Sequence, residues 1–140
     1  SDCANCGIMT EEEMGWFLSV YDGLWEHLRE TRPCLLHLDL WSQNILTRNG
    51  HITAVLDFDR GMYGDPELEF AVLDTYGYAG AGFFQGYGRE RPSGESARIR
   101  QRMYLVYELI KYAFIRFARG MSRATGRSHV SRCRELLQSF

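Results

Sequence analysis

The stretch from Leu35 to Phe58 constrains the fold of this chain more than any other. It interleaves three short apolar segments, Leu35-Leu36, Ile45-Leu46-Thr47 and Ile52 to Phe58, with three hydrogen-bonding side chains, Asp39, Asn44 and Asp57. Polar groups set among apolar strands cost free energy unless they are paired, so the chain must bring these three to a common partner. Asn49-Gly50, between the last two segments, is a strong type I′ turn signal because both residue types tolerate positive φ. Those segments therefore form a hairpin. Asn44, six residues before Gly50, then comes close to Asp57, seven after it.

Helices surround this hairpin in the sequence. Thr10 followed by Glu11, Glu12 and Glu13 is a capping box, with acids at the positive end of a helix. Apolar residues recur at Met14, Phe17, Leu18, Tyr21, Leu24, Trp25 and Leu28, and the stripe stops before Pro33. After the hairpin, Gly64-Asp65-Pro66 reads as turn, N-cap and first-turn proline of a helix of about ten residues through Leu73. The glycine-rich stretch 77–94 reads as a mobile or substrate-facing loop, or a connector. A long helix from about Ser93 to Gly120 and a short last helix from Val130 to Gln138 complete the chain. The expectation is one α+β domain over 1–140, mostly helical, with residues 1–9 flexible and the few strands serving to present loops.

Composition fits that architecture. Hydrophobic residues make up 45% of 140 and aromatics 14%, too much apolar surface for a disordered chain. The longest uncharged stretch, Thr75 to Gly88, is 14 residues with five glycines, so no membrane span is expected. The opening Ser-Asp-Cys-Ala-Asn-Cys-Gly has neither a basic nor an apolar leader region, and a cytoplasmic address is expected. A net charge of −2 hides an asymmetry: residues 1–88 hold 4 basic and 14 acidic side chains, residues 89–140 hold 12 and 4. The arginines of the second part lie at helical spacing without a basic block, which favours a solvated helix face over a nucleic-acid surface. Cys3-Ala-Asn-Cys6 has the spacing of a zinc knuckle but no second such pair, so free thiols are expected.

The chemistry sits at the ends of the hairpin. The Asn44 amide oxygen and the Asp57 carboxylate are hard donors of the kind that suits Mg²⁺. Asp39, on the loop five residues before Asn44, is free to orient a substrate hydroxyl.

His37-Leu38-Asp39, then Asn44, a strand–turn–strand and Asp57-Phe58-Asp59 resemble the catalytic and metal-binding segment of the aminoglycoside phosphotransferase and fructosamine kinase families, which share the protein kinase-like fold. Gly64-Asp65-Pro66 extends the likeness toward the small-molecule kinases, and Leu40-Trp41-Ser42 toward fructosamine kinases. The resemblance implies the C-terminal lobe of that fold, without the N-terminal nucleotide lobe. It implies Asp39 as catalytic base, Asn44 and Asp57 as holders of Mg²⁺ on ATP, and His37 as a structural buttress. Asp59 is either a second-metal or loop contact, or a plain turn carboxylate. Two positions depart from the family: Leu38 stands where Gly is usual, and Glu69 where many relatives have Asp. Lys111, the only lysine, falls in the helical region, so nothing in the sequence matches the strand lysine that grips phosphates.

The expected function is ATP-dependent transfer of a phosphoryl group to a hydroxyl of a small cationic substrate, such as an aminoglycoside or fructosamine. Asp74, Glu67 and Glu90 are candidates to attract it. The alternative is a non-catalytic module that keeps the fold. The isolated lobe is expected to be inactive and prone to self-association through the surface that the other lobe would cover.

Overall fold

The computed structural model describes residues 2–29, 31–120 and 122–138. In chain order the elements are α1 (Asp2–Asn5), α2 (Glu11–Arg29), β1 (Cys34–Leu36), a 3₁₀ turn (Ser42–Asn44), β2 (Ile45–Arg48), β3 (His51–Val55), β4 (Met62–Gly64), α3 (Pro66–Tyr76), α4 (Ala81–Tyr87), α5 (Glu95–Ala118) and α6 (Arg123–Leu137). The domain is mostly helical, as the periodicity requires.

The capping box forms: the Glu13 N–H donates to Thr10 Oγ1 at 3.1 Å, and the Thr10 N–H to Glu13 Oε2 at 2.8 Å. The helical core joins α1, α2, α5 and α6 through Cys3, Ile8, Met9, Phe17, Val106, Leu109, Ala113, Val130, Cys133 and Leu137. Full burial of a side chain such as Ile8 or Val106 stabilises the fold by roughly 1.5–3 kcal/mol. Of residues 1–9, expected to be flexible, residue 1 lies outside the described residues, Asp2–Asn5 form α1, and Cys3, Ile8 and Met9 are buried in that core. The α2 stripe is only partly covered, since Leu18 and Trp25 stand exposed.

The hairpin turns where the sequence places it, with φ of 53° at Asn49 and 78° at Gly50. Ile45 pairs with Val55 and Arg48 with His51, and an irregularity between Leu46 and Thr47 lets β3 carry one extra residue. The ladder continues as the Leu56 N–H donates to the Asn44 carbonyl at 2.8 Å, so Asn44 lies opposite Leu56, one residue before Asp57. A second antiparallel pair, β1 with β4, matches Cys34 to Gly64 and Leu36 to Met62. A Cβ at Gly64 would come 3.0 Å from Leu36 Cδ1, so a larger residue there would ask the Leu36 side chain to shift. The sequence hides β4 because Met62 and Tyr63 are exposed and adjoin a turn signal.

Two helical boundaries differ from expectation. The stretch 77–94 contains α4, whose Phe83, Phe84 and Tyr87 rings meet Phe70 of α3 edge-on at 5.1–5.9 Å between centroids. Ring-to-ring packing of its half-buried phenylalanines offsets the low helix propensity of its glycines. The last helix starts at Arg123 rather than Val130, because Ser122 caps it and Gly126 packs against Ile8. Part of the charge asymmetry resolves into pairs between the two parts of the chain: Arg91 with Asp74, Arg100 with Asp65 and Arg127 with Glu13.

Asp65 caps α3, its Oδ1 accepting the Glu67 N–H at 3.1 Å. Glu67 is 1% exposed, and the Arg91 Nε lies 3.9 Å from its Oε2. Burial pushes its pKa up to about 7; the Asp65 charge adds to the rise, while Arg91, Gln101 and Arg100 oppose it. The folded state therefore holds a proton that the unfolded chain releases at lower pH, and the stability from this group, present in acid, is lost as pH rises through 7. Folding stability should fall by about 2 kcal/mol between roughly pH 5 and pH 8, and Glu67→Gln should flatten that fall. Urea unfolding at both pH values checks this; an equally steep fall in the variant contradicts it.

Candidate active site

The loop between β1 and the 3₁₀ turn is held by a helix. Glu69 on α3 accepts the His37 N–H at 2.6 Å and the Leu38 N–H at 3.0 Å through Oε2. A charged acceptor shared by two backbone donors is among the stronger hydrogen-bond arrangements available to a loop. The Asp39 N–H donates to His37 Nδ1 at 3.2 Å, so the neutral His37 ring donates from Nε2 to the Leu56 carbonyl at 2.8 Å. His37 thereby ties the loop to the end of β3, and Phe58 packs edge-on against its ring at 4.3 Å.

This anchoring imposes an unusual backbone. Leu38 has φ of +61° and Asp57 +66°, a left-handed conformation that costs a non-glycine residue about 1–2 kcal/mol. The Leu38 side chain offsets the cost by joining Leu36 and Val72 in a second small core, where it is 8% exposed.

Asp39 sits at the centre of the polar contacts. Asn44 Nδ2 donates to its carbonyl at 2.9 Å and to its Oδ2 at 3.2 Å. Arg60 Nη1 donates to its Oδ1 and to the Tyr112 hydroxyl, each at 3.3 Å, and the Tyr112 and Tyr76 hydroxyls lie 3.0 Å apart. Burial alone would lower the Arg60 pKa, but the Tyr112 hydrogen bond and the Asp39 charge raise it. Burial and the Tyr112 hydrogen bond raise the pKa of Tyr76, which stays a neutral hydroxyl. Trp41, two residues after Asp39, stacks on Tyr76 at 6.2 Å, and Tyr78 stacks on Tyr76 at 5.9 Å. An aromatic face thus borders the Asp39 carboxylate.

The structure brings Asp39 and Asn44 together directly and joins His37 to Leu56 at the end of β3. Asp57 is exposed beside them, and no protein hydrogen bond to its carboxylate occurs among the described residues. Asp59 is exposed and adds its charge to the field around Arg60. Two acids expected to attract a cation serve elsewhere: Asp74 accepts from Arg91 Nη1 and Nη2 at 3.1 and 2.7 Å, and Glu67 is buried. Glu69, Arg60, Tyr76 and Tyr112 were not legible as site residues. Glu69 alone left a signal, as an acid at a family position. Cys3 is buried in the helical core, and the Cys6 thiol donates to its carbonyl.

The sequence model of the family described as Fructosamine kinase matches residues 12–131. A protein named "Probable ketoamine kinase" from Lactiplantibacillus plantarum is 31% identical over 86 residues, 61% of this chain and 30% of that protein. The chloroplastic protein-ribulosamine 3-kinase of Oryza sativa subsp. japonica is 34% identical over 80 residues, 57% of this chain and 23% of that protein. The matched segments thus span less than a third of these relatives. The fold matches a thermostable mutant of aminoglycoside phosphotransferase APH(4)-Ia, solved as a ternary complex with AMP-PNP and hygromycin B. The TM-score is 0.64 at 22% identity, covering 99% of this chain and 50% of that one.

Leu38→Gly should relieve about 1–2 kcal/mol of backbone strain and lose about 2–3 kcal/mol of burial, a net loss near 1 kcal/mol. Denaturant unfolding measures it, and a stabilised variant would show that strain outweighs packing. Glu69→Ala removes the acceptor of two loop amides. It should speed hydrogen exchange at His37 and Leu38 by about a hundredfold, as expected for about 3 kcal/mol of lost local protection. Unchanged exchange there means that the loop is held by other contacts.

Proposed function

The chain belongs to the fructosamine kinase family, and on that premise we propose that it carries the acceptor-activating and metal-holding groups of an ATP-dependent kinase acting on a hydroxyl of a small ketoamine. The observation that carries this reading is the Asn44 hydrogen bond to Asp39 Oδ2 at 3.2 Å. It fixes a carboxylate on a loop that Glu69 and His37 already hold at its backbone.

In this reading Asp39 orients the acceptor hydroxyl and takes its proton as the oxygen bonds to the γ-phosphorus of ATP and the bond to ADP breaks. Such transfer depends chiefly on positioning and on neutralising charge. Asn44 and Arg60 each engage one oxygen of Asp39 and so restrict its rotation. The face formed by Trp41, Tyr76 and Tyr78 offers apolar ring surface to the carbon framework of a sugar. The donor set fits Mg²⁺: Asn44 spends its Nδ2 on Asp39, leaving Oδ1 as the hard oxygen, and Asp57 supplies a carboxylate with no hydrogen-bond partner among the described residues. When bound by these two groups, Mg²⁺ would neutralise phosphate charge.

Lys111, the only lysine, pairs with buried Glu108 on α5 and is not available to grip a nucleotide. We therefore propose that activity needs a further nucleotide-binding lobe, and that these 140 residues alone fold without sustained turnover. ADP release by the pure chain, with ATP, Mg²⁺, fructosamines and aminoglycosides, tests this; sustained release would show that the residues here suffice.

In an enzyme form that turns over, Asp39→Asn should lower kcat by about a hundredfold or more with little change in nucleotide affinity. Asn44→Ala and Asp57→Ala should first raise the Mg²⁺ concentration needed for half-maximal rate. Near-normal kcat in the first variant, or an unchanged Mg²⁺ requirement in the other two, rejects the assigned roles. Aminoglycoside phosphorylation without ketoamine phosphorylation would reject the substrate class alone.

A further inference from the structure

One nitrogen, Arg60 Nη1, serves two acceptors, Asp39 Oδ1 and the Tyr112 hydroxyl, each at 3.3 Å. Both contacts are long for an N–H···O bond, so neither alone fixes a guanidinium on a flexible stem. Arg60 is a third exposed, and a second acid acts on it, the exposed Asp59 that precedes it in the chain. The Tyr112 hydroxyl is the contact that favours Asp39 over Asp59 as its partner.

Tyr112 suits that task because it is held from several sides. Its hydroxyl lies 3.0 Å from that of Tyr76. The Lys111 ammonium lies 5.0 Å and the Arg116 guanidinium 5.8 Å from the centre of its ring, and such cation–π contacts hold a ring in place. Lys111 is in turn paired with Glu108, which is buried on α5. That helix packs against α2, α3 and α6. The hydroxyl that receives Arg60 thus belongs to an element fixed by the core, whereas Arg60 lies on the irregular segment between β3 and β4.

We propose that Tyr112 is a positioning residue for phosphoryl transfer and acts through Arg60: its hydroxyl keeps the guanidinium on Asp39 Oδ1 while Asn44 holds Oδ2, so the carboxylate meets the acceptor hydroxyl in one orientation. The proposal rests on the reading of Asp39 as the base. Without the Tyr112 hydroxyl, Arg60 divides its time between Asp39 and Asp59, and the base is present but less often aimed. The loss falls on the chemical step rather than on binding, because the Tyr112 hydroxyl is turned to Arg60 and Tyr76.

Tyr112→Phe keeps the ring with its cation contacts and removes the hydroxyl alone. In this chain, rotation of the Arg60 guanidinium about its Nε–Cζ bond, followed by NMR of isotope-labelled arginine, should speed up about tenfold in that variant, as one lost hydrogen bond to a charged group implies. In an enzyme form that turns over, Tyr112→Phe should lower kcat about tenfold and leave the KM values for ATP and ketoamine within about twofold. In an Arg60→Gln background the same substitution should lower kcat no further, because nothing remains for the hydroxyl to hold. Unchanged rotation of Arg60, or an equal loss of kcat in both backgrounds, overturns the proposal and leaves Tyr112 a role in the fold alone. A raised KM with kcat intact overturns it in favour of a binding role. If Asp39→Asn keeps a near-normal kcat while Tyr112→Phe still frees Arg60, the reading of Asp39 as base fails, and the Tyr112–Arg60 contact stands without a part in catalysis.

Discussion

The two hydrogen bonds from the His37 and Leu38 amides to Glu69 are the contact on which the rest of the site depends. They cross from a loop with little packing of its own to a helix built into the core. Phe70, Ala71, Val72 and Leu73, which follow Glu69, are all at most 3% exposed, so the acceptor is carried on an element that cannot shift without opening the core. The loop inherits that rigidity. From there it is passed on through His37 to Leu56, and through the Asp39 carbonyl and carboxylate to Asn44.

That chain of contacts explains why left-handed backbone persists at Leu38 and Asp57. Each strained residue adjoins a point fixed from outside, by Glu69 in one case and by the His37–Leu56 contact in the other. Strain of this size is tolerated where surrounding bonds over-determine the conformation. Leu38 shows how a side chain unusual for its position is accommodated: its burial against Leu36 and Val72 offsets what glycine would save. The hairpin, by contrast, is largely exposed along both strands. It owes its place to the loop and to Leu56 rather than to a hydrophobic face.

Much of this was legible in the sequence, for identifiable reasons. The Asn49-Gly50 turn, the Thr10–Glu13 capping box and the Asp65-Pro66 helix start are local signals whose hydrogen bonds lie within a few residues, and each forms as read. Asn44 could be placed near Asp57 because a tight turn leaves few ways to join them, whereas the roles of Asp39 and His37 were implied by the family resemblance. The hidden parts are those decided by distant partners. β4 exists only through its pairing with β1, α4 only through the Phe70 cluster, and the buried segment before Thr10 only through α5 and α6. The Arg60–Tyr112–Tyr76 relay joins residues as far as 52 positions apart, and no spacing rule reports that. The arginine-rich C-terminal part reads as a solvated face, and Arg98, Arg116, Arg119, Arg132 and Arg134 are indeed exposed; what the spacing does not report is that Arg91, Arg100 and Arg127 pair with acids of the first part.

The central claim is that one anchored loop presents Asp39 to an acceptor hydroxyl while Asn44 and Asp57 hold the metal. A crystal structure of an active form with Mg²⁺, a non-hydrolysable ATP analogue and a fructosamine tests it most directly. The account predicts a substrate hydroxyl within about 2.6–3.2 Å of an Asp39 oxygen, and Mg²⁺ coordinated by Asn44 Oδ1 and the Asp57 carboxylate. A fructosamine seated away from Asp39, or a metal held without Asn44 and Asp57, would contradict it.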